Sequence, residues 1–245
     1  MHPSPYRRPF TSAHVRARIV KILLIVGAIL SVLSLLSETL SLAIPPLTDD
    51  QEIGDNPFGF AITLLIFLLA VPGLIIYIAT VVFFCVWLYR AHSNLAAFLT
   101  SPRSLNYSPG WAVGSFFIPF VNLVVPYRAV KEVWQKSGPP DEALLGEPSP
   151  PPSFPMWWLF WLLASFAGNI SMRVSFNENV PESTATIVSI VASALSIVAA
   201  VFAYVVVDEI DKRQEETSGK LKLGKFSGPP PPPGELQISD AVMRQ

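Results

Sequence analysis

The sequence predicts an all-α fold: a polytopic membrane helical bundle of four transmembrane helices, with a proline-broken re-entrant or interfacial segment and a short amphipathic helix. Three observations lead there. Of 245 residues, 51% are hydrophobic and 14% charged, with a mean hydropathy of +0.46, whereas a soluble domain carries about a quarter of its residues as charges. The apolar residues come in long blocks, not in alternating or heptad patterns, as bilayer spans require. The 24 prolines gather in loops and tails, where no helix is wanted.

Residues 1–21 read as a basic cytoplasmic tail, with Arg7, Arg8, Arg16, Arg18 and Lys21 and no acid. The membrane domain, 22–207, opens with a span at 22–44 that stops at Pro45-Pro46. Ser41-Leu42-Ala43 has the small-x-small form of a cleavage site. The apolar run is longer than the ~7–15 residues of a signal-peptide core, so an uncleaved anchor is expected. The loop at 45–59 carries Asp49, Asp50, Glu52 and Asp55. The second span, 60–88, contains Pro72-Gly73, where a kink is expected because proline cannot donate to the helical ladder. No break follows, so this helix should emerge and continue through Tyr89–Leu99 until Pro102 stops it.

The segment 108–137 is apolar at first and interrupted by Pro109-Gly110, Pro119 and Pro126. After Pro126, Tyr127, Val130, Val133 and Trp134 fall on one side of a short helix. Arg128, Lys131, Glu132 and Gln135 fall on the other, the pattern of a helix lying in the interface plane. A third span, 156–172, begins with Trp157, Trp158 and Trp161, whose amphipathic rings favour the headgroup level. The fourth span covers 184–207. Residues 208–245, charged and then rich in Pro and Gly with Pro229–Pro233, read as a disordered cytoplasmic tail.

Charge placement decides whether 111–125 crosses. With four spans and both termini in the cytoplasm, all of the 17 Lys and Arg except Arg173 fall on the cytoplasmic side of the plasma membrane, satisfying the positive-inside rule. A fifth crossing at 111–125 would split them almost evenly. A helix of that length reaches about 22 Å, short of a hydrocarbon core of about 30 Å, and Pro119 would break even that. The segment is therefore expected to enter from the cytoplasmic side, bend near Pro119–Asn122 and return, covered by neighbouring spans.

Few residues suggest chemistry. Asn122, a lone amide in an apolar segment, either satisfies backbone groups freed by Pro119 or contacts a ligand at a broken helix. Glu38 is the one acid inside a span. It shares a face with Ser31, Ser34 and Ser41 and is expected to pair with Arg173 and serve helix packing, the alternative being proton or ion handling. Arg90, His92 and Asn94 lie just inside the membrane; with Tyr127 and Arg128 they form a candidate surface for lipid headgroups or a partner. Arg90 and Asn94 share a helix face. Asp208, Glu209 and Asp211 read as solvated charge. The single cysteine, Cys85, excludes an intramolecular disulfide, and no Cys/His cluster has metal-ligand spacing. Phosphate loops and hydrolase signatures are missing from the sequence, so neither a cofactor nor an enzymatic role is expected. A net charge of −1 gives no basic field for nucleic acid. Small residues on the third and fourth spans point to close packing within the bundle or in a homo-oligomer.

Tyr89-Arg90-Ala91-His92-x-Asn94-Leu95, Ser108-Pro109-Gly110-Trp111, Pro119-x-x-Asn122-Leu123 and Pro126-Tyr127 leading to Glu132-x-Trp134 resemble a bacterial integral-membrane family catalogued as domain of unknown function 4328. The resemblance implies one membrane domain from roughly the first span to the fourth. It carries no catalytic residues. The function expected is that of a membrane scaffold or accessory protein, engaging lipids or protein partners through its tails and residues 89–137. The alternative is a small transporter or channel whose pathway is lined around Asn122.

Overall fold

The computed structural model describes residues 10–44, 55–99, 105–139, 142 and 146–223. The Pro45-Pro46 stop, the acids at 49–52, Pro102, Arg7, Arg8 and the Pro-rich tail lie outside them. Among the described residues the regular structure is helical: α1 (His14–Ser41), α2 (Pro57–Phe98), α3 (Pro109–Gly114), α4 (Val125–Lys136), α5 (Ser153–Ser175) and α6 (Glu182–Lys220). Two 3-10 turns, Ser115–Phe117 and Val121–Leu123, sit between α3 and α4.

Helix starts follow from local chemistry. Asn56 caps α2 by accepting a hydrogen bond from the Gly59 N–H, with Pro57 in the first turn. Ser108 does the same for α3 through the Trp111 N–H, followed by Pro109. α2 runs through Pro72 as one helix. Its 42 residues reach about 63 Å, and the 39 of α6 about 58 Å, so each outruns a hydrocarbon core of about 30 Å. α6 packs between α1 and α5, and α2 packs along the other side of α1. At Gly27 a Cβ would already stand 3.6 Å from Ile76, which shows how closely α1 and α2 approach.

Three helices, α1, α2 and α6, are long and apolar enough to cross a membrane. Their middle portions expose Ile29, Leu36, Phe67, Leu74, Ile187 and Val191. Exposed apolar patches this large would drive aggregation in water; hydrocarbon accommodates them. The buried core instead gathers at one end of the bundle. It combines the start of α1 (Ala13, Ala17, Val20), the end of α2 (Trp87, Leu88, Ala91, Leu95, Phe98), α4 (Val130, Val133, Trp134), the start of α5 (Phe154, Trp157, Trp158) and the end of α6 (Ala203, Val206, Val207, Ile210).

That core revises two sequence expectations. Residues 14–21, expected as tail, form the opening turns of α1 and bury Ala17 and Val20. Residues 208–220, expected to be disordered, continue α6 and bury Ile210, Asp211, Gln214, Thr217 and Ser218.

Candidate functional site

The polar residues that carry the most structure are packed into this core, and they form two networks. The first is centred on Glu132 of α4. Its carboxylate is only 4% exposed, not on the outer face expected from the helix pattern. Oε1 accepts hydrogen bonds from the Asn106 backbone N–H (2.6 Å) and side-chain Nδ2 (2.9 Å), and Oε2 accepts from the Tyr107 N–H (3.3 Å). His92 Nε2, fully buried, stands 3.5 Å from Oε2, an electrostatic contact longer than a hydrogen bond. Burial alone would raise the Glu132 pKa. His92 and the Asn106 donors outweigh it and hold the carboxyl below its ordinary value of 4.5. Glu132 thereby clasps the chain just before the broken segment to the helix just after it.

The second network joins α2, α4 and α6 through Gln214. Its Nε2 donates to the Ala91 carbonyl (2.8 Å) and to Ser137 Oγ (3.0 Å), and its carbonyl accepts from Asn94 Nδ2 (3.1 Å). Asn94 Oδ1 accepts from the Thr11 N–H, and Arg90 Nε donates to the Thr11 carbonyl. The shared face of Arg90 and Asn94 is therefore spent on holding the N-terminal segment. Below it, Lys21 donates to Asp208 (2.8 Å), His14 Nδ1 pairs with the buried Asp211 (2.9 Å), and Lys212 pairs with Asp208 (2.7 Å). Burial raises the Asp208 pKa, but the two lysines bring it below its usual 3.8. Gln214→Leu removes the partner of the Asn94 amide and is expected to cost about 1–2 kcal/mol. Denaturant unfolding in detergent measures it.

Between α3 and α4 the chain turns. α3 and the first 3-10 turn lie against α4. Phe120 marks the bend, with φ 64°, a positive value that a bulky residue rarely adopts. The break is closed by backbone, since the Val121 N–H donates to the Pro119 carbonyl (2.8 Å) and the Asn122 N–H to Ile118 (3.0 Å). Trp158 Nε1 donates to the Leu123 carbonyl (3.0 Å). Phe116 is set among Phe84, Trp158 and Trp161. Phe117, Ile118 and Phe120, which is 86% exposed, project from the tip.

The residues singled out from sequence therefore separate. His92 and Asn94 are interior. Arg128 is exposed and Arg90 half-buried; burial, and then the nearby Arg16, lower the Arg90 pKa. Asn122 and Tyr127 are half-buried beside the bend, and the Tyr127 ring lies 6.5 Å from that of Trp158. The Glu38–Arg173 pair does not form: α6 lies between α1 and α5, and Glu38 instead accepts a hydrogen bond from Ser193 of α6 (3.1 Å). Because Gln can accept that bond too, Glu38→Gln is expected to match Glu178→Gln in membrane expression within about twofold, read by quantitative blotting.

Glu132 and Asp211, expected at the solvated surface, are buried hubs, and Gln214 and Arg213 join them as hubs with no counterpart among the sequence candidates. No group of His, Cys, Asp and Glu among the described residues is arranged to hold a metal ion. No curated protein and no solved structure matches the chain. A family model matches residues 60–212, from the start of the second span into α6 as far as Lys212, leaving α1 and Gln214 outside. The chain belongs to the family described as Domain of unknown function (DUF4328).

Proposed function

We propose that this chain is a scaffold or accessory protein of the plasma membrane, with no catalytic role, and that the end of the bundle carrying the buried core is a cytoplasmic platform for lipid headgroups or protein partners. In this reading α5 is a fourth span, both termini are cytoplasmic, and the bent segment dips its Phe117–Phe120 tip into the near leaflet. One observation carries it: well-packed core and buried polar networks are concentrated at a single end, while the apolar flanks of the same helices are exposed. A structure that invests its packing there presents a rigid surface there. Arg16, Arg90 and Arg128 lie at this end, where each basic residue near an anionic leaflet contributes about 1 kcal/mol.

The test is crosslinking in the native membrane, comparing the intact chain with one ending at Leu223 and with an Arg90→Glu/Arg128→Glu variant. Loss of crosslinked partners or anionic lipid from either, with the bundle still folded, is the expected result. Identical recovery from all three would sink the reading. Deletion of Tyr127–Lys136 is unsuitable, because Val130, Val133 and Trp134 are core. If the bent segment instead lined a transport pathway, Asn122→Ala would abolish solute flux while leaving crosslinking intact.

A further inference from the structure

On the outer face of α6, where its apolar portion gives way to charge, lies a groove of about 380 Å³. Tyr204, Val205, Glu209, Lys212, Glu216 and Trp134 line it, together with Asp208 and Arg213. Positions 205, 209, 212 and 216 follow a four–three–four spacing, so they form one stripe. One turn earlier the same stripe passes Val201, which is exposed. A single surface therefore runs from hydrocarbon-compatible to charged.

The charges in the groove are unequally matched. Lys212 is paired with Asp208, and Arg213 is held by Glu142 and the Trp134 carbonyl, its guanidinium 4.2 Å over the Trp134 ring. Neither Glu209 nor Glu216 has a salt-bridge partner among the described residues. The groove thus offers two carboxylates without a direct ion pair, of which Glu209 already lies near enough to help raise the Lys212 pKa, beside that mostly exposed ammonium.

We propose that this groove binds the ethanolamine headgroup of a phosphatidylethanolamine molecule, whose acyl chains lie along Val205 and Val201. The primary ammonium has three N–H donors for Glu209 and Glu216, and the adjacent phosphate meets Lys212. A choline headgroup has no N–H to donate, and a glycerol headgroup has no positive charge. A serine headgroup has the same ammonium but adds a carboxylate that Glu209 and Glu216 repel, so the chemistry favours ethanolamine. The proposal rests on the platform lying at the headgroup layer, as in the function proposed above.

The full chain, reconstituted in discs of mixed phosphatidylethanolamine, phosphatidylglycerol and phosphatidylcholine, is released for native mass spectrometry of retained lipid. Phosphatidylethanolamine is expected to be enriched over both competitors. A Glu209→Gln/Glu216→Gln variant should lose that enrichment roughly tenfold, the worth of one charge-assisted hydrogen bond, with its thermal unfolding unchanged. Lys212→Gln should weaken retention without admitting phosphatidylcholine. Equal retention of the three lipids, or full enrichment in the double glutamine variant, overturns the proposal. A nitroxide at position 205 in the same discs separates the causes. Headgroup depth without enrichment removes the groove alone, and exposure to bulk water removes the platform reading with it.

Discussion

Glu132→Ala is expected to destabilise the folded chain by about 3–5 kcal/mol, the cost of breaking a buried, hydrogen-bonded charge site by removing one partner. The backbone donors of Asn106 and Tyr107 and the Asn106 amide all converge on this carboxylate, and His92 stands beside it in the core. A methyl group leaves them without an acceptor, and each buried group left unsatisfied costs about 1–3 kcal/mol. The loss should be local first: residues 105–124 should gain amide exchange before the long helices do. Glu132→Gln keeps one carbonyl acceptor and should fall between the two. pH gives a second handle. The Glu132 pKa is lower in the folded chain than its ordinary 4.5, so its ionised form stabilises the fold fully above that value. The contribution is lost as pH falls below 4.5 and through the depressed value. The stability gap between wild type and Glu132→Gln should therefore shrink on acidification below about pH 4.5, measured by urea unfolding in detergent at stepped pH.

Trp134→Ala should cost a similar amount, about 3–5 kcal/mol, as expected for truncating a buried aromatic. The ring is nearly fully buried, meets Phe154 edge-on at 5.8 Å and carries the Arg213 guanidinium on its face. Its removal takes away the ring contact with Phe154 at the start of α5, and the stacking partner of Arg213. The Arg213–Glu142 bridge also passes so close to Gly138 that a Cβ there would collide with both side chains. Removing Trp134 should therefore loosen the turn after α4 as well. Trp134→Phe, which keeps an aromatic wall, should recover more than half of the loss in thermal unfolding.

The contrast between these hubs and the spans shows what the sequence exposes and what it hides. Long apolar runs declare α1, α2 and α6 because burial in lipid needs nothing but composition. Pro119 declares the bend because it sits among Pro109, Gly110 and Pro126 in a short run, whereas the long apolar helix α2 carries Pro72 without ending. α5 is less legible: its tryptophans, Ser165, Gly168 and Asn169 dilute the apolar signal that α1, α2 and α6 carry. The polar platform was hidden for a different reason. Asp208, Asp211 and Gln214 look like a solvated tail, although Val207, Ile210, Gln214 and Thr217 keep helical spacing with the apolar residues before them, a signal that was present. Ala13, Ala17 and Val20 offered the same clue in α1. Glu132 had no such local sign. It follows Ala129 by three residues, but its acceptors' partners at Asn106 and Tyr107 are brought to it only by the folding back of the broken segment. The expected Glu38–Arg173 pair failed on order of packing: sequence shows opposite charges at matching depth, not that α6 stands between them.

That fold-back is the feature on which the platform depends, and its sidedness can be measured directly. Ser149 lies exposed between α4 and α5, and Glu178 lies exposed between α5 and α6. In a Cys85→Ser background, Ser149→Cys and Glu178→Cys variants are treated in intact cells with a membrane-impermeant maleimide. If 111–125 bends back and α5 crosses, the Glu178→Cys variant labels, while the Ser149→Cys variant labels only after the membrane is permeabilised. Labelling of the Ser149→Cys variant in intact cells would place the chain after the bend on the outer side and contradict the platform.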